Sequence, residues 1–150
     1  MELRSKIESD LKDAMRASND IGKRTLRMVL ASIKMAEVEQ GGGVKLDNAA
    51  IIPILQKEIK SRRESILEAE KAIRPDLILS SQEEIRVLET YLPQAISEPE
   101  LRTMAAEVIT ELNASSLADM GKVIKTILSR LQGRAPGDQV SKVVREILQK

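Results

Sequence analysis

Tyr91-Leu92-Pro93-Gln94-Ala95-Ile96-Ser97-Glu98-Pro99-Glu100 decides how the chain is organised. A residue that precedes proline is pushed out of the helical region, so Leu92-Pro93 closes whatever helix runs into it. Four residues later Ser97 offers a side-chain cap, Pro99 sits near the first helical position, and Glu100 stands three residues beyond the cap as in a capping box. One helix stops and another starts within ten residues. Working outward, the chain reads as an N-terminal helical domain over 1–93 and a C-terminal three-helix domain over 97–150.

Apolar residues on both sides recur at helical spacing. Leu3, Ile7, Leu11 and Ala14 mark a first helix that ends near Ser18-Asn19-Asp20, and Leu26, Leu30 and Ile33 mark a second. Gly41-Gly42-Gly43 is a loop, because three glycines in a row carry too large an entropic cost for helix interior. Asp47 is placed to cap a third helix carrying Ile52, Leu55, Ile59 and Ile66, with Pro53 expected to bend or loosen its first turns. Arg74-Pro75-Asp76 ends that run, and Leu77, Ile85, Leu88 and Leu92 form the fourth stripe, so the third and fourth helices make a long, charged hairpin. Beyond Ser97 the stripes are Leu101, Ala105, Val108 and Leu112, then Met120, Ile124, Ile127 and Leu131, then Val140, Val144 and Ile147. No segment alternates as a strand does; the fold class is all-α.

Composition restricts the chemistry. The chain has 24 Lys and Arg against 23 Asp and Glu, no His, no Cys, no Phe or Trp, and one Tyr. Without His or Cys, the commonest general base, the thiolate nucleophile and the commonest metal ligand are absent, which leaves carboxylates, Lys, Tyr91 or Ser with an unusual base as residual catalytic options. No catalytic residue, cofactor or metal site is therefore expected. Missing aromatics also argue against base stacking as a mode of single-strand binding. Charges interrupt every apolar stretch, so no membrane span or signal peptide is read, and a soluble cytosolic protein is expected.

Charge is unevenly distributed. Met120 to Lys150 holds seven Lys or Arg and two acids, whereas Glu98 to Asp119 holds one Arg and five acids. On a helical wheel Lys122 and Lys125 lie opposite the apolar side of the sixth helix, with Arg130 at its edge. Lys142 and Arg145 take the same outward position on the seventh. Gly121 opens the first of these helices, and Gly133, followed by Arg134, forms the corner between them. A phosphate backbone suits such a face, although any amphipathic helix needs a polar outer side and cations near helix C-termini favour the macrodipole on their own. Lys23, Arg24 and Arg27 make a secondary basic patch at the start of the second helix, where their charge opposes the dipole. Lys57, Lys60, Arg62 and Arg63, interleaved with Glu58 and Glu64, read as a salt-bridged solvated face. Glu83, Glu84 and Glu89 read as surface residues.

Several stretches carry a resemblance over essentially the whole chain: Leu26-Arg27-Met28-Val29 with Ala31-Ser32-Ile33-Lys34; Glu58-Ile59-Lys60-Ser61-Arg62-Arg63-Glu64-Ser65; Glu89-Thr90-Tyr91-Leu92-Pro93-Gln94; Ala118-Asp119-Met120-Gly121-Lys122-Val123; and Gln132-Gly133-Arg134-Ala135. In this order the chain resembles the YqeY-like proteins, relatives of the tail domain of the aspartyl/glutamyl-tRNA amidotransferase B subunit. The resemblance implies an N-terminal bundle followed by a compact tail-like domain, and it implies contact with tRNA rather than catalysis. It assigns Gly121, Lys122, Lys125, Gly133 and Arg134 to the tail's glycine and basic positions. The expected function is thus a non-catalytic tRNA-binding or tRNA-associated accessory. The alternative is a helical module that docks an aminoacyl-tRNA synthetase or amidotransferase, and an amide-hydrolysing enzyme is a distant third. This segment is less lysine-rich than amidotransferase tails often are, which points to modest affinity for tRNA alone.

Overall fold

The computed structural model describes residues 2–149, and every regular element among them is helical. The order is α1 (Leu3–Arg16), α2 (Asp20–Glu39), α3 (Asn48–Lys71), α4 (Pro75–Glu89) and α5 (Glu98–Glu111). A short 3-10 turn (Leu117–Asp119), α6 (Met120–Leu131) and α7 (Gly137–Leu148) follow. Contacts divide the chain into two compact units, residues 1–92 and 93–150.

Helix starts follow local chemistry. Asn19 accepts the Gly22 N–H at 3.0 Å, Asp47 accepts the Ala50 N–H at 3.0 Å, and Ser97 accepts the Glu100 N–H at 3.3 Å. Each side chain satisfies a backbone donor that the first turn leaves open. Pro75 opens α4, where its missing N–H costs nothing. Pro53 lies within α3, and the helix continues through it.

Four helix ends share one geometry. After α1, α2, α3 and α5, the N–H of the second residue past the cap reaches back five positions: Asn19 to Ala14, Gly42 to Glu37, Arg74 to Ala69 and Ala114 to Ile109, at 2.9–3.1 Å. This closure needs a left-handed residue just past the cap. Those residues are Ser18, Gly41, Ile73 and Asn113, with φ of 53°, 98°, 53° and 53°. Glycine fits that conformation without cost, and Ser and Asn tolerate it; a β-branched isoleucine does not.

The N-terminal unit buries Ile7, Leu26, Val29, Ile33, Ile51, Leu55, Ile59, Leu88 and Tyr91. Leu55 and Ile59 of the third stripe are buried as expected, whereas at its start Ile51 is buried and Ile52 only partly so. Leu77 is exposed because α4 begins beyond the reach of the core. Tyr91 caps the unit: its hydroxyl donates to Asp10 at 2.5 Å, and the Lys6 ammonium sits 5.4 Å from the ring centroid. Burial, and then the Asp10 carboxylate, push the phenol pKa above its usual value near 10. With the folded pKa raised, this contribution is intact below pH 10. Above it the unfolded chain releases the proton first, and stability falls. Tyr91→Phe is expected to cost about 1.5 kcal/mol at pH 7 and to remove that part of the alkaline loss. Urea unfolding at pH 7 and at pH 11, followed by circular dichroism, measures both.

A buried ionic chain joins α2, α3 and α4. Arg62, only 6 % exposed, donates to Glu58 Oε2 at 2.7 Å, to the Glu58 carbonyl at 3.0 Å and to Glu84 Oε2 at 2.9 Å. Ser32 donates to Glu58 at 2.9 Å, and Arg24 donates to Glu84 at 2.8 Å and to Ser80 at 3.1 Å. Two sequence expectations are corrected here. Arg62 is not on the solvated face expected for the Lys57–Arg63 cluster, and Glu84 is not a surface residue. Apolar surroundings strengthen their mutual attraction, and each charge finds enough partners to offset its lost hydration.

Candidate nucleic-acid interface

In the C-terminal unit, α5, α6 and α7 enclose Leu101, Ala105, Val108, Val123, Ile127, Leu131, Val140, Val143 and Val144, all buried, together with Ile96 and Ala135. Burying one side of α6 and of α7 leaves the opposite sides to solvent, and this sets where the cations stand.

The eight candidates of this region separate into two sets. Lys122 and Lys125 on α6, and Lys142 and Arg145 on α7, are exposed. Among the described residues none of these four side chains has an acidic partner within ion-pair distance. Gly121 is exposed beside Lys122, and a Cβ there would meet nothing within 4 Å. The glycine therefore leaves open surface next to the lysine.

Arg130 and Arg134 are held by the fold instead. Arg130 donates to Glu111 Oε2 at 2.5 Å, tying α6 to α5, and its guanidinium holds the Glu111 carboxyl below the usual carboxylate range. Arg134 donates to the Gln94 carbonyl at 3.1 Å and lies 3.7 Å from Glu100. The Ile96 N–H donates to the Arg134 carbonyl at 2.9 Å, so the corner is clamped to the segment entering α5. Gln132 (φ 48°) and Gly133 (φ 92°) are both left-handed, and together they turn the chain between α6 and α7. Sequence spacing finds the cations, but it gives no sign of which have acids within reach.

Two acids of the C-terminal segment are likewise accounted for. Glu146 on α7 accepts from Arg102 of α5 at 2.6 Å, and Asp138 accepts the Gln139 N–H at 2.9 Å. Glu146 is thus countered from α5, and Arg130 and Arg134 by acids outside the segment, which leaves the positive charge of the exposed sides on Lys122, Lys125, Lys142 and Arg145.

In the secondary patch, Arg24 belongs to the ionic chain described above. Lys23 lies 3.9 Å from Asp20, and Arg27 is exposed with no acidic partner among the described residues. The described residues hold no group of three or more side chains arranged to hold a metal ion.

These features define an all-helical protein of two units, one built around a buried ionic chain and the other presenting a cationic surface. The chain belongs to the YqeY-like protein family, whose model matches residues 4–148. Among its curated relatives is altered inheritance of mitochondria protein 41, mitochondrial. The version from Lachancea thermotolerans is 36 % identical over 73 % of this chain and 59 % of the relative. The version from Pyrenophora tritici-repentis is 31 % identical over 95 % of this chain and 79 % of the relative. The version from Kluyveromyces lactis is 35 % identical over 73 % and 60 %. The chain thus spans about three fifths of the length of two of these relatives. The expectation of a cytosolic protein is overturned by these matches, because the relatives are named as mitochondrial proteins. Composition cannot report a compartment: charges that rule out a membrane span suit any aqueous one.

Proposed function

We propose that the C-terminal unit docks on the phosphate backbone of a folded RNA of the tRNA class and that the protein is a non-catalytic accessory to tRNA-dependent chemistry. The observation that carries this reading is the set of four exposed cations on α6 and α7, Lys122, Lys125, Lys142 and Arg145, which have no acidic partner among the described residues. Family membership supports it. Structured RNA presents phosphates and ribose hydroxyls at fixed positions, so cationic helices can bind it without aromatic stacking.

Three or four phosphate contacts give binding that weakens with salt along a log–log slope of roughly −2 to −4. A gel-shift titration of bulk tRNA across about 50 to 200 mM salt measures it. A slope near zero, or no binding at the lowest salt, overturns the proposal.

A further inference from the structure

Beyond Arg62 the α3–α4 hairpin leaves the core. From residue 63 to residue 84 only Ala69 is buried; Arg24 of α2 reaches Ser80 and Glu84, and beyond that level the two helices pack on each other. This arm exposes Leu67 (57 %), Ile73 (84 %), Leu77 and Leu79. Ile73 is the most exposed of them, and it is also the β-branched residue in the left-handed position that closes α3. Its strain and its exposure both disfavour it in an isolated chain, and strain that persists at an exposed site directs attention to contact.

A second uncovered surface lies on α2. Met28, Ala31, Met35 and Val38 form a stripe on the side opposite the buried Val29 and Ile33, with Met35 and Val38 each 65 % exposed. Ala31, Lys34, Met35, Val38 and Glu39 line a shallow hollow there.

The charges beside the two surfaces are opposite. On the arm, Lys71 pairs with Glu68 at 3.5 Å and Arg74 with Asp76 at 3.0 Å. Glu64 and Glu70 are left without a cation among the described residues, and each stands one turn from Leu67 on its own side of the helix. On α2, Arg27 and Lys34 stand one turn before and one turn after Ala31, both on one side of it, and have no acid among the described residues. At the helical rise the two acids are about 9 Å apart along their axis and the two bases about 10 Å apart. An arm against an arm opposes acids, and α2 against α2 opposes bases. The crossed contact sets the two acids against the two bases beside the apolar centres, with Glu39 at the far end of the α2 hollow.

We infer that the arm of one copy docks on the α2 stripe of a second copy. Reach agrees with a closed pair. Arg62 touches Met28 Sδ at 3.6 Å and Ser32 touches Glu58, so α2 and α3 run antiparallel. From that common level the arm extends about 16 Å to Ile73 in one direction, and the stripe extends about 15 Å to Val38 in the other. A two-fold axis at this level lays each arm along the partner's stripe, giving two equal contacts and no open end. The arm's residual negative charge disfavours nucleic acid and anionic lipid on the same surface.

The test is sedimentation velocity of the RNA-free full chain from about 1 to 200 µM. The wild type is expected to shift from monomer to dimer within that range. Glu64→Lys with Glu70→Lys, and separately Arg27→Glu with Lys34→Glu, each move the transition to at least about tenfold higher concentration. An equimolar mixture of the two variants restores it, because each repels itself and matches the other. Ile73→Gly also weakens association while leaving the fold intact, since glycine relieves the strained closure. A wild type that stays monomeric throughout overturns the inference and leaves these surfaces to a different protein. Association that ignores both charge swaps, or a mixture that fails to recover, overturns it as well.

Discussion

Replacing Arg62 with alanine is expected to lower the unfolding free energy of the N-terminal unit by about 3 to 5 kcal/mol, the cost of breaking a buried ion pair by removing one partner. The guanidinium is one of two buried polar side chains among the described residues, and it holds together carboxylates from α3 and α4. Without it Glu58 and Glu84, whose side chains are 18 % and 14 % exposed, face each other. Ser32 remains for one, and the half-exposed Arg24 for the other. Lysine is a poor substitute, because a single ammonium cannot serve two carboxylates and a carbonyl along a planar fork. Arg24→Ala, at the wet end of the same chain, is expected to cost about 1 kcal/mol or less. Tyr91 is the sole aromatic residue of the sequence and lies in this unit, so its fluorescence reports the transition directly. At about 1 to 1.5 kcal/mol per molar urea, the midpoint falls by roughly 2 to 5 M. A fall of less than about 0.5 M contradicts the account of this network.

Reversing Lys122, Lys125, Lys142 and Arg145 to glutamate is the second large effect expected. Each change removes an attraction to phosphate and adds a repulsion, so four together reduce affinity for folded tRNA by at least about a hundredfold near 0.1 M salt. The side chains are exposed, which keeps the fold intact and separates loss of binding from loss of structure. Arg130→Gln and Arg134→Gln give the contrasting pair. Their guanidinium groups are occupied by Glu111 and by Gln94 with Glu100, so they are expected to reduce stability more than binding. Filter binding beside thermal melts distinguishes the two sets. Equal loss of binding from either set contradicts the division of the face into free and structural cations.

The helices were legible in the sequence because capping and periodicity are local. Ser97, Asp47 and Pro75 announce helix starts within a few residues, and of the stripes read for α6 and α7 Ile127, Leu131, Val140 and Val144 are buried while Met120, Ile124 and Ile147 are partly so. Tertiary pairing was not legible. Arg62 reads as one cation in a mixed cluster, and nothing near it in the sequence reveals that Glu84 lies against it or that Arg24 comes in from α2. The same holds for the cationic face. Spacing places Lys125 and Arg130 on one helix, yet only the packing of α5 against α6 brings Glu111 to Arg130 and leaves Lys125 free. Ile73 shows the opposite limit, for a turn is expected before Pro75, but its left-handed backbone and its exposure emerge only from the folded hairpin.

The central claim, that the cationic sides of α6 and α7 hold folded RNA, is tested most directly by amide chemical-shift mapping of the full chain titrated with tRNA. The account predicts perturbations at Gly121, Lys122 and Lys125 and at Lys142 and Arg145, reversed by added salt, with the arm from Glu64 to Leu79 unchanged. Perturbations concentrated on the arm or on α2, with α6 and α7 silent, would contradict it.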